Sequence, residues 1–135
     1  MTKIHINTLI HSELEKVWDC YTNPTHIVNW NFASPDWHCP KAENDMQVGG
    51  KYTARMEAKD GSFGFDFEAI YTEVKPLESF TYKILDGREV QVKFTPKENS
   101  TQLDITFEAE NQNPIEMQQA GWQAILDNFK RYVEK

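Results

Sequence analysis

The 135-residue chain carries 14 basic against 21 acidic residues, a formal net charge of -7. Its scattered Lys and Arg exclude a nucleic-acid surface, which needs clustered cations to displace counterions. The length suits a single domain over residues 1–135, with enough core to need neither disulfide nor metal. No apolar run approaches the roughly 18 residues that span a bilayer. Met1-Thr2-Lys3-Ile4 leads straight into a strand pattern instead of a signal peptide, so a cytoplasmic location without membrane insertion is expected. Cys20 and Cys39 form no C-x-x-C pair and are read as reduced thiols.

Lys3 to Ile10 alternates Ile4, Ile6, Thr8 and Ile10 against Lys3, His5 and Asn7, the period of a half-buried strand. The period changes at Ser12-Glu13-Leu14-Glu15, a capping box in which the Ser12 hydroxyl accepts from the Glu15 amide. Leu14, Val17, Trp18 and Tyr21 then form the stripe of a short helix. Asn23-Pro24 ends it and starts a second short helix through about Trp30, because Pro suits a first turn where its missing N–H would lack a partner anyway. Asn31 to Val48 is read as an irregular loop in which Pro35 and Pro40 flank Asp36-Trp37-His38-Cys39. A long loop carrying aromatics is more often functional than a plain connector.

Gly49-Gly50 turns into a strand from Lys51 to Ala58, whose Tyr52, Ala54, Met56 and Ala58 share a face. Asp60-Gly61 is a hairpin signal. The return strand places Phe63, Phe65, Phe67 and Ala69 at period two and runs on through Ile70 to Val74. After a turn at Pro76, Phe80, Tyr82 and Ile84 share a face, and Asp86-Gly87 leads to Val90, Val92 and Phe94. A polar turn from Pro96 to Ser100 precedes Leu103, Ile105 and Phe107. About seven antiparallel strands result, patterned for one covered and one wet face.

Asn113 is read as the cap of a last helix, with Pro114 first and Glu116 third. Its apolar stripe is Ile115, Trp122, Ile125, Leu126, Phe129 and Val133. Some 20 residues, near 30 Å, cross the whole face of a small domain. Asp127 and Arg131 are spaced as an i, i+4 pair. The expected class is α+β, a curved antiparallel sheet closing on a long C-terminal helix, with two short helices after the first strand.

Catalytic patterns are sparse. His5, His11, His26 and His38 lie near no nucleophile motif. No H-x-x-x-H pair or Cys/His cluster has ligand spacing, and Gly61, Ser62 and Gly64 belong to a hairpin, not a phosphate loop. The reading therefore assigns no catalytic residue, no metal and no cofactor. Asp66 and Glu68 alternate with Phe65 and Phe67 and so belong to the outer face, and Arg55, beside Lys51, Thr53 and Glu57, is surface charge.

The aromatics carry more information. Four Trp, five Tyr and eight Phe fall largely on inward positions. Burial of each stabilises by roughly 1.5 to 3 kcal/mol, so a core role accounts for any one of them. Together, wide rigid rings leave gaps more readily than Leu or Val, and apolar pockets with a few polar groups are the usual small-molecule sites. The expected wall takes Tyr52, Met56, Phe65, Phe67, Tyr82 and Phe94 from the strands and Trp30 from the end of the second helix. Gln118, Trp122, Ile125 and Phe129 come from the last helix. The Tyr52 and Tyr82 hydroxyls, the Gln118 amide and the Trp122 indole N–H are the orienting groups. A ligand of about 20 heavy atoms at roughly -0.3 kcal/mol each would bind near -6 kcal/mol, in the tens of micromolar.

Val17-Trp18, Asn23-Pro24 followed by Trp30, and Gly49-Gly50 before an aromatic strand come in a familiar order. Asp60-Gly61, Val74-Lys75-Pro76 before Phe80-Thr81-Tyr82, Ser100-Thr101-Gln102-Leu103 and Gly121-Trp122 continue it. Over essentially its whole length the chain resembles stand-alone members of the activator of heat shock protein 90 ATPase homologue family, within the START-like, birch-pollen-allergen-like (SRPBCC) superfamily. The resemblance implies a helix-grip fold, in which the sheet wraps the terminal helix around a cavity that often binds lipids, polyketides or flavonoid-like compounds. Ala69 stands where members commonly have Gly, and Tyr82 where they often have Trp, which alters the cavity.

Three functions follow as expectations. The first is non-enzymatic binding of an apolar or aromatic small molecule, with the loop from Asn31 to Val48 at the mouth. The second is a protein-interaction module related to heat shock protein 90 ATPase activators, anchored by Trp30, Phe32 or Trp37. It ranks lower because nothing in these residues corresponds to the separate N-terminal domain of the co-chaperone for which the family is named. The third, a cyclase or hydrolase using the same cavity, ranks last for want of positioned acids and bases.

Overall fold

Strand alternation decides which side chains turn inward. In the computed structural model, which describes residues 2–135, Ile4, Ile6 and Ile10 of β1 (Lys3–Ile10) are buried while Lys3, His5 and Asn7 are exposed. β3 (Lys51–Ala58), β6 (Glu89–Lys97) and β7 (Ser100–Glu108) repeat the pattern. Among the described residues, these strands with β2 (Trp37–Asn44), β4 (Gly64–Lys75) and β5 (Ser79–Ile84) form one seven-stranded antiparallel sheet in the order β1-β7-β6-β5-β4-β3-β2. Register aligns the apolar rows: Ile6 and Val92 both pair with Ile105, and Ile4 and Val90 both with Phe107. The helices are α1 (Leu14–Thr22), α2 (Pro24–Ile27) and α3 (Ile115–Glu134). This is the helix-grip fold.

The segment read as a loop from Asn31 to Val48 holds β2, which pairs with β3 as an edge strand. Its register slips between His38 and Lys41, around Pro40. Pro cannot donate to a ladder and is tolerated at an edge or bulge, so its presence hides the strand locally while tertiary pairing forms it. β4 is one strand of 12 residues, bulged between Tyr71 and Glu73. Phe63 falls just before it and is 61% exposed, so the inward face of this strand starts later than its alternation suggests.

The caps also differ from expectation. α1 starts at Leu14 with Glu13 in the cap position and no side-chain cap. Ser12 instead turns the chain: its N–H donates to the Ile10 carbonyl (2.8 Å), and its own carbonyl accepts from the Thr101 hydroxyl (3.0 Å). α3 has Pro114, not Asn113, in the cap position. Asn113 is held by the Glu110 carboxylate. Asn23 does cap α2, accepting from the Thr25 N–H. Asp127 accepts from Gln123 and Arg131 donates to Asn128, so the ion pair of this helix is Lys130 with Glu134 at 2.7 Å.

α3 closes one edge of the sheet. The carbonyls of His5, Asn7 and Leu9 on β1 accept from Gln119, Gln123 and Lys130 of α3. This covers groups that would otherwise template strand addition. The opposite edge, β2, carries Pro40 and Lys41, residue types that discourage such pairing. At the β3 start a Cβ on Gly50 would lie 2.1 Å from the Asp45 carbonyl oxygen, so only Gly permits that close turn. Asp66 and Glu68 face outward, paired with Arg55 (3.5 Å) and Lys51 (2.7 Å). Cys20 and Cys39 are buried free thiols. Trp30, read as an interface anchor, is 3% exposed and belongs to the core.

Candidate functional site: a cavity between sheet and last helix

The inner faces of β3, β4 and β5 and the facing side of α3 enclose a cavity of about 190 Å³. Register explains part of it. Tyr52 lies opposite Ala69, and Ala54 opposite Phe67, so each ring stands across from a methyl group instead of another large side chain. The rings meet at a tilt: Tyr52 and Phe67 centroids are 6.0 Å apart at 63°, and Phe67 and Trp122 are 6.4 Å apart at 71°. Trp122 is itself fixed by stacking on Phe107 at 4.0 Å and 13°. Rigid rings at these angles leave space between them.

Of the residues expected at the wall, Tyr52, Met56, Phe65, Phe67 and Tyr82 line the cavity from the sheet. Trp30, Trp122 and Ile125 line it as well. Three do not. Phe94 packs against Trp18 (4.9 Å) and Tyr21 (5.8 Å), because α1 covers that end of the sheet. Phe129 is fully buried against Trp30 (4.7 Å) and Tyr21 (5.0 Å). Gln118 ties down the turn before its own helix, donating to the Glu110 and Asn113 carbonyls and accepting from the Glu110 N–H.

Further lining comes from Tyr21, Tyr71, Phe80, Ile105 and Leu126. Tyr71 continues the period-two series of Phe67 and Ala69, and Leu126 belongs to the α3 stripe, so both were within reach of pattern reading. Asn31 and Asn44 also line it and carry no local signal, since a polar residue in an irregular segment is ordinarily solvated.

Among the described residues, no charged side chain lines the cavity. Its polar groups are amides and phenols. Tyr71 Oη donates to Asn44 Oδ1 (2.6 Å), and Asn44 Nδ2 donates to the Thr22 carbonyl (2.8 Å). Asn31 Nδ2 donates to Tyr52 Oη (3.3 Å). The Trp30 indole N–H is consumed by the Cys20 carbonyl (2.8 Å). Burial pushes the Tyr21, Tyr52, Tyr71 and Tyr82 phenols above their ordinary range, which keeps them protonated and able to donate. Carboxylate, imidazole and thiol are absent from the lining, so the wall offers apolar contact and hydrogen bonds but no strong acid or base. Among the described residues, no three His, Cys, Asp or Glu side chains gather as a metal site.

Phe65 both lines the cavity and is 42% exposed. Outside, it meets Trp37 (6.2 Å) and Phe63 (6.0 Å), so three rings cluster where β2, β3 and β4 reach the surface.

The sequence model of the family described as Activator of Hsp90 ATPase homolog 1-like protein matches residues 11–134. The structure is similar to the solution structure of the AHSA1-like protein from Aeromonas hydrophila, with 46% identity over 98% of this chain and 92% of that one and a TM-score of 0.93. A protein from Cytophaga hutchinsonii is 45% identical over the same shares, with a TM-score of 0.85. The crystal structure of a protein from Chromobacterium violaceum shares the fold at 23% identity, covering 100% of this chain and 99% of that one, with a TM-score of 0.86. Comparison with curated proteins gives no match. No helix among the described residues is long and apolar enough to cross a membrane.

Proposed function

The chain belongs to the Activator of Hsp90 ATPase homolog 1-like family, and from that premise we propose that it is a non-enzymatic binding protein for a small apolar or aromatic molecule held between sheet and α3. The observation that carries this reading is the uncharged, ring-lined cavity of about 190 Å³. Because the lining reaches solvent, its apolar ring faces stay unburied at a cost of about 25 cal/mol per Å². A ligand that fills it recovers part of that cost.

The volume also restricts size. An engineered cavity of about 150 Å³ accepts benzene, so this one suits a molecule of one or two rings. The ligand of about 20 heavy atoms expected from the sequence needs side chains to move aside. About 12 heavy atoms at roughly -0.4 kcal/mol each correspond to an affinity of hundreds of micromolar. The mouth lies at Phe65, where the lining reaches solvent.

Titrating the 15N-labelled protein with one- and two-ring aromatics tests the reading. Amide shifts centred on Met56, Tyr82, Trp122 and Ile125 are expected. Shifts confined to surface amides, or none, overturn it. The second reading, an interaction module, draws on the surface cluster of Trp37, Phe63 and Phe65. Mixing the chain with a heat shock protein 90 homologue and following ATP hydrolysis decides it: no binding and an unchanged rate remove it.

A further inference from the structure

Three phenol protons in the cavity, those of Tyr21, Tyr52 and Tyr82, have no acceptor among the described residues. Tyr71 gives its proton to Asn44 Oδ1 (2.6 Å), which occupies that oxygen. Tyr52 Oη accepts from Asn31 and still has its own proton to place. Tyr21 and Tyr82 make no side-chain hydrogen bond among the described residues. No side-chain oxygen or nitrogen there is both sealed off and unpartnered, so these two hydroxyls open onto space. Both residues line the cavity. Ring centroids of Tyr52 and Tyr71 lie 5.9 and 5.8 Å from Tyr82, and Phe80 joins Tyr21 to them, 6.0 Å from Tyr21 and 6.1 Å from Tyr82. Strand carbonyls nearby are engaged in the β3–β4 and β4–β5 ladders.

We propose that the cavity selects neutral aromatic molecules bearing a hydrogen-bond acceptor, such as a ketone, quinone or ester carbonyl. That oxygen sits among the Tyr21, Tyr52 and Tyr82 hydroxyls, and the ring lies against Trp122 and Ile125. The inference rests on the binding reading above. A carboxylate fits poorly because no Lys or Arg lines the site and burying an unpaired charge is costly. An amine adds a donor where acceptors are already short. Burial first, and then the neighbouring phenols, disfavour ionisation of Tyr82, so it stays a donor.

Three probes of nearly equal shape test it: 2-acetylnaphthalene, 2-isopropenylnaphthalene, in which C=CH2 replaces C=O, and 2-naphthoate. A simply oily cavity would favour the hydrocarbon, which is the least soluble in water. We expect the ketone to bind about fivefold more tightly than either of the others, the size of one net hydrogen bond. Its carbonyl stretch should fall below the value in a hydrocarbon solvent. Tyr82→Phe or Tyr21→Phe should weaken the ketone several-fold and leave the hydrocarbon unchanged. If the hydrocarbon binds as tightly as the ketone, or if Tyr→Phe at 21, 52 and 82 each leaves the ketone unaffected, the acceptor requirement is wrong while the binding reading stands. A tighter naphthoate overturns neutrality. No binding by any of the three, with the Trp122 region unmoved, overturns the binding reading itself.

Discussion

Around Phe94, α1 packs Trp18 and Tyr21 between the sheet and Phe129 with ring centroids 4.9 to 6.1 Å apart, and of the rings gathered there only Tyr21 and Phe80 also border the cavity. Around Tyr52, Phe67 and Tyr82 the ring spacings are much the same, yet the space above them stays open. Residue type does not separate the two regions. What separates them is a third element: α1 supplies wedges at one end, while at the other the wall is completed by Asn31 and Asn44, side chains too short to fill it. An aromatic face is core where something is pushed against it and cavity where nothing is.

The sharpest way to break this contrast is to make the same truncation on both sides. Phe129→Ala, in the filled region, should cost about 3–5 kcal/mol because the surrounding rings cannot collapse. Phe67→Ala, at the cavity wall and already missing neighbours on one side, should cost only about 1–2 kcal/mol. Urea denaturation measures both, and equal losses would mean that the cavity is closed in solution.

Within the cavity, Tyr71→Phe strands the Asn44 oxygen and should cost about 1–2 kcal/mol, whereas Tyr82→Phe, which breaks no protein hydrogen bond, should stay within about 0.5 kcal/mol. Thermal unfolding separates the two. Filling the space tests the contrast from the other direction. Ile125→Trp should lower aromatic-ligand affinity tenfold or more while changing stability by less than about 1 kcal/mol, because the added ring enters volume that is already open. A large destabilisation would show that the wall is as tightly packed as the other end.

The smallest effect concerns the filled end, where Glu134 accepts from the His11 N–H (2.8 Å) and from Lys130 Nζ (2.7 Å). The His11 amide first, and then Lys130, hold its carboxyl below the ordinary value of 4.5. A carboxyl lowered by folding adds stability above its unfolded value and loses it as pH falls through the folded one. Glu134→Gln should therefore flatten the decline in stability on acidification from about pH 7 to about pH 3, by well under 1 kcal/mol because the pair is partly exposed. An unchanged slope would remove this tie.

Much of the fold was legible from residues close together in the chain. The inward faces of Tyr52, Ala54 and Met56, of Val90 and Val92, and of Leu103 and Ile105 follow from a period of two, which backbone pleating imposes on any strand with one covered face. On α3, Leu126, Phe129 and Val133 are buried and Trp122 and Ile125 half-buried, as the helical period of 3.6 requires, whereas Ile115 in the first turn is 38% exposed and lies outside the stripe. Eight of the eleven expected wall residues line the cavity because inward-facing is a necessary condition for lining it. Phe94 and Phe129 meet that condition too, but Trp18 and Tyr21 of α1 cover the first, and Trp30 with Tyr21 covers the second. Gln118 sits on the helix in phase but is drawn into the preceding turn.

By itself, then, the sequence determined the alternation, the hairpins at Asp60-Gly61 and Asp86-Gly87, the long last helix and the family. These depend on contacts between neighbours or on motifs read in order. Tertiary structure alone decided that a Pro-containing segment pairs as β2, that Ser12 meets Thr101 instead of capping α1, and which rings border open space. Those outcomes depend on distances between elements tens of residues apart, and no local pattern encodes how far one packed surface stands from another.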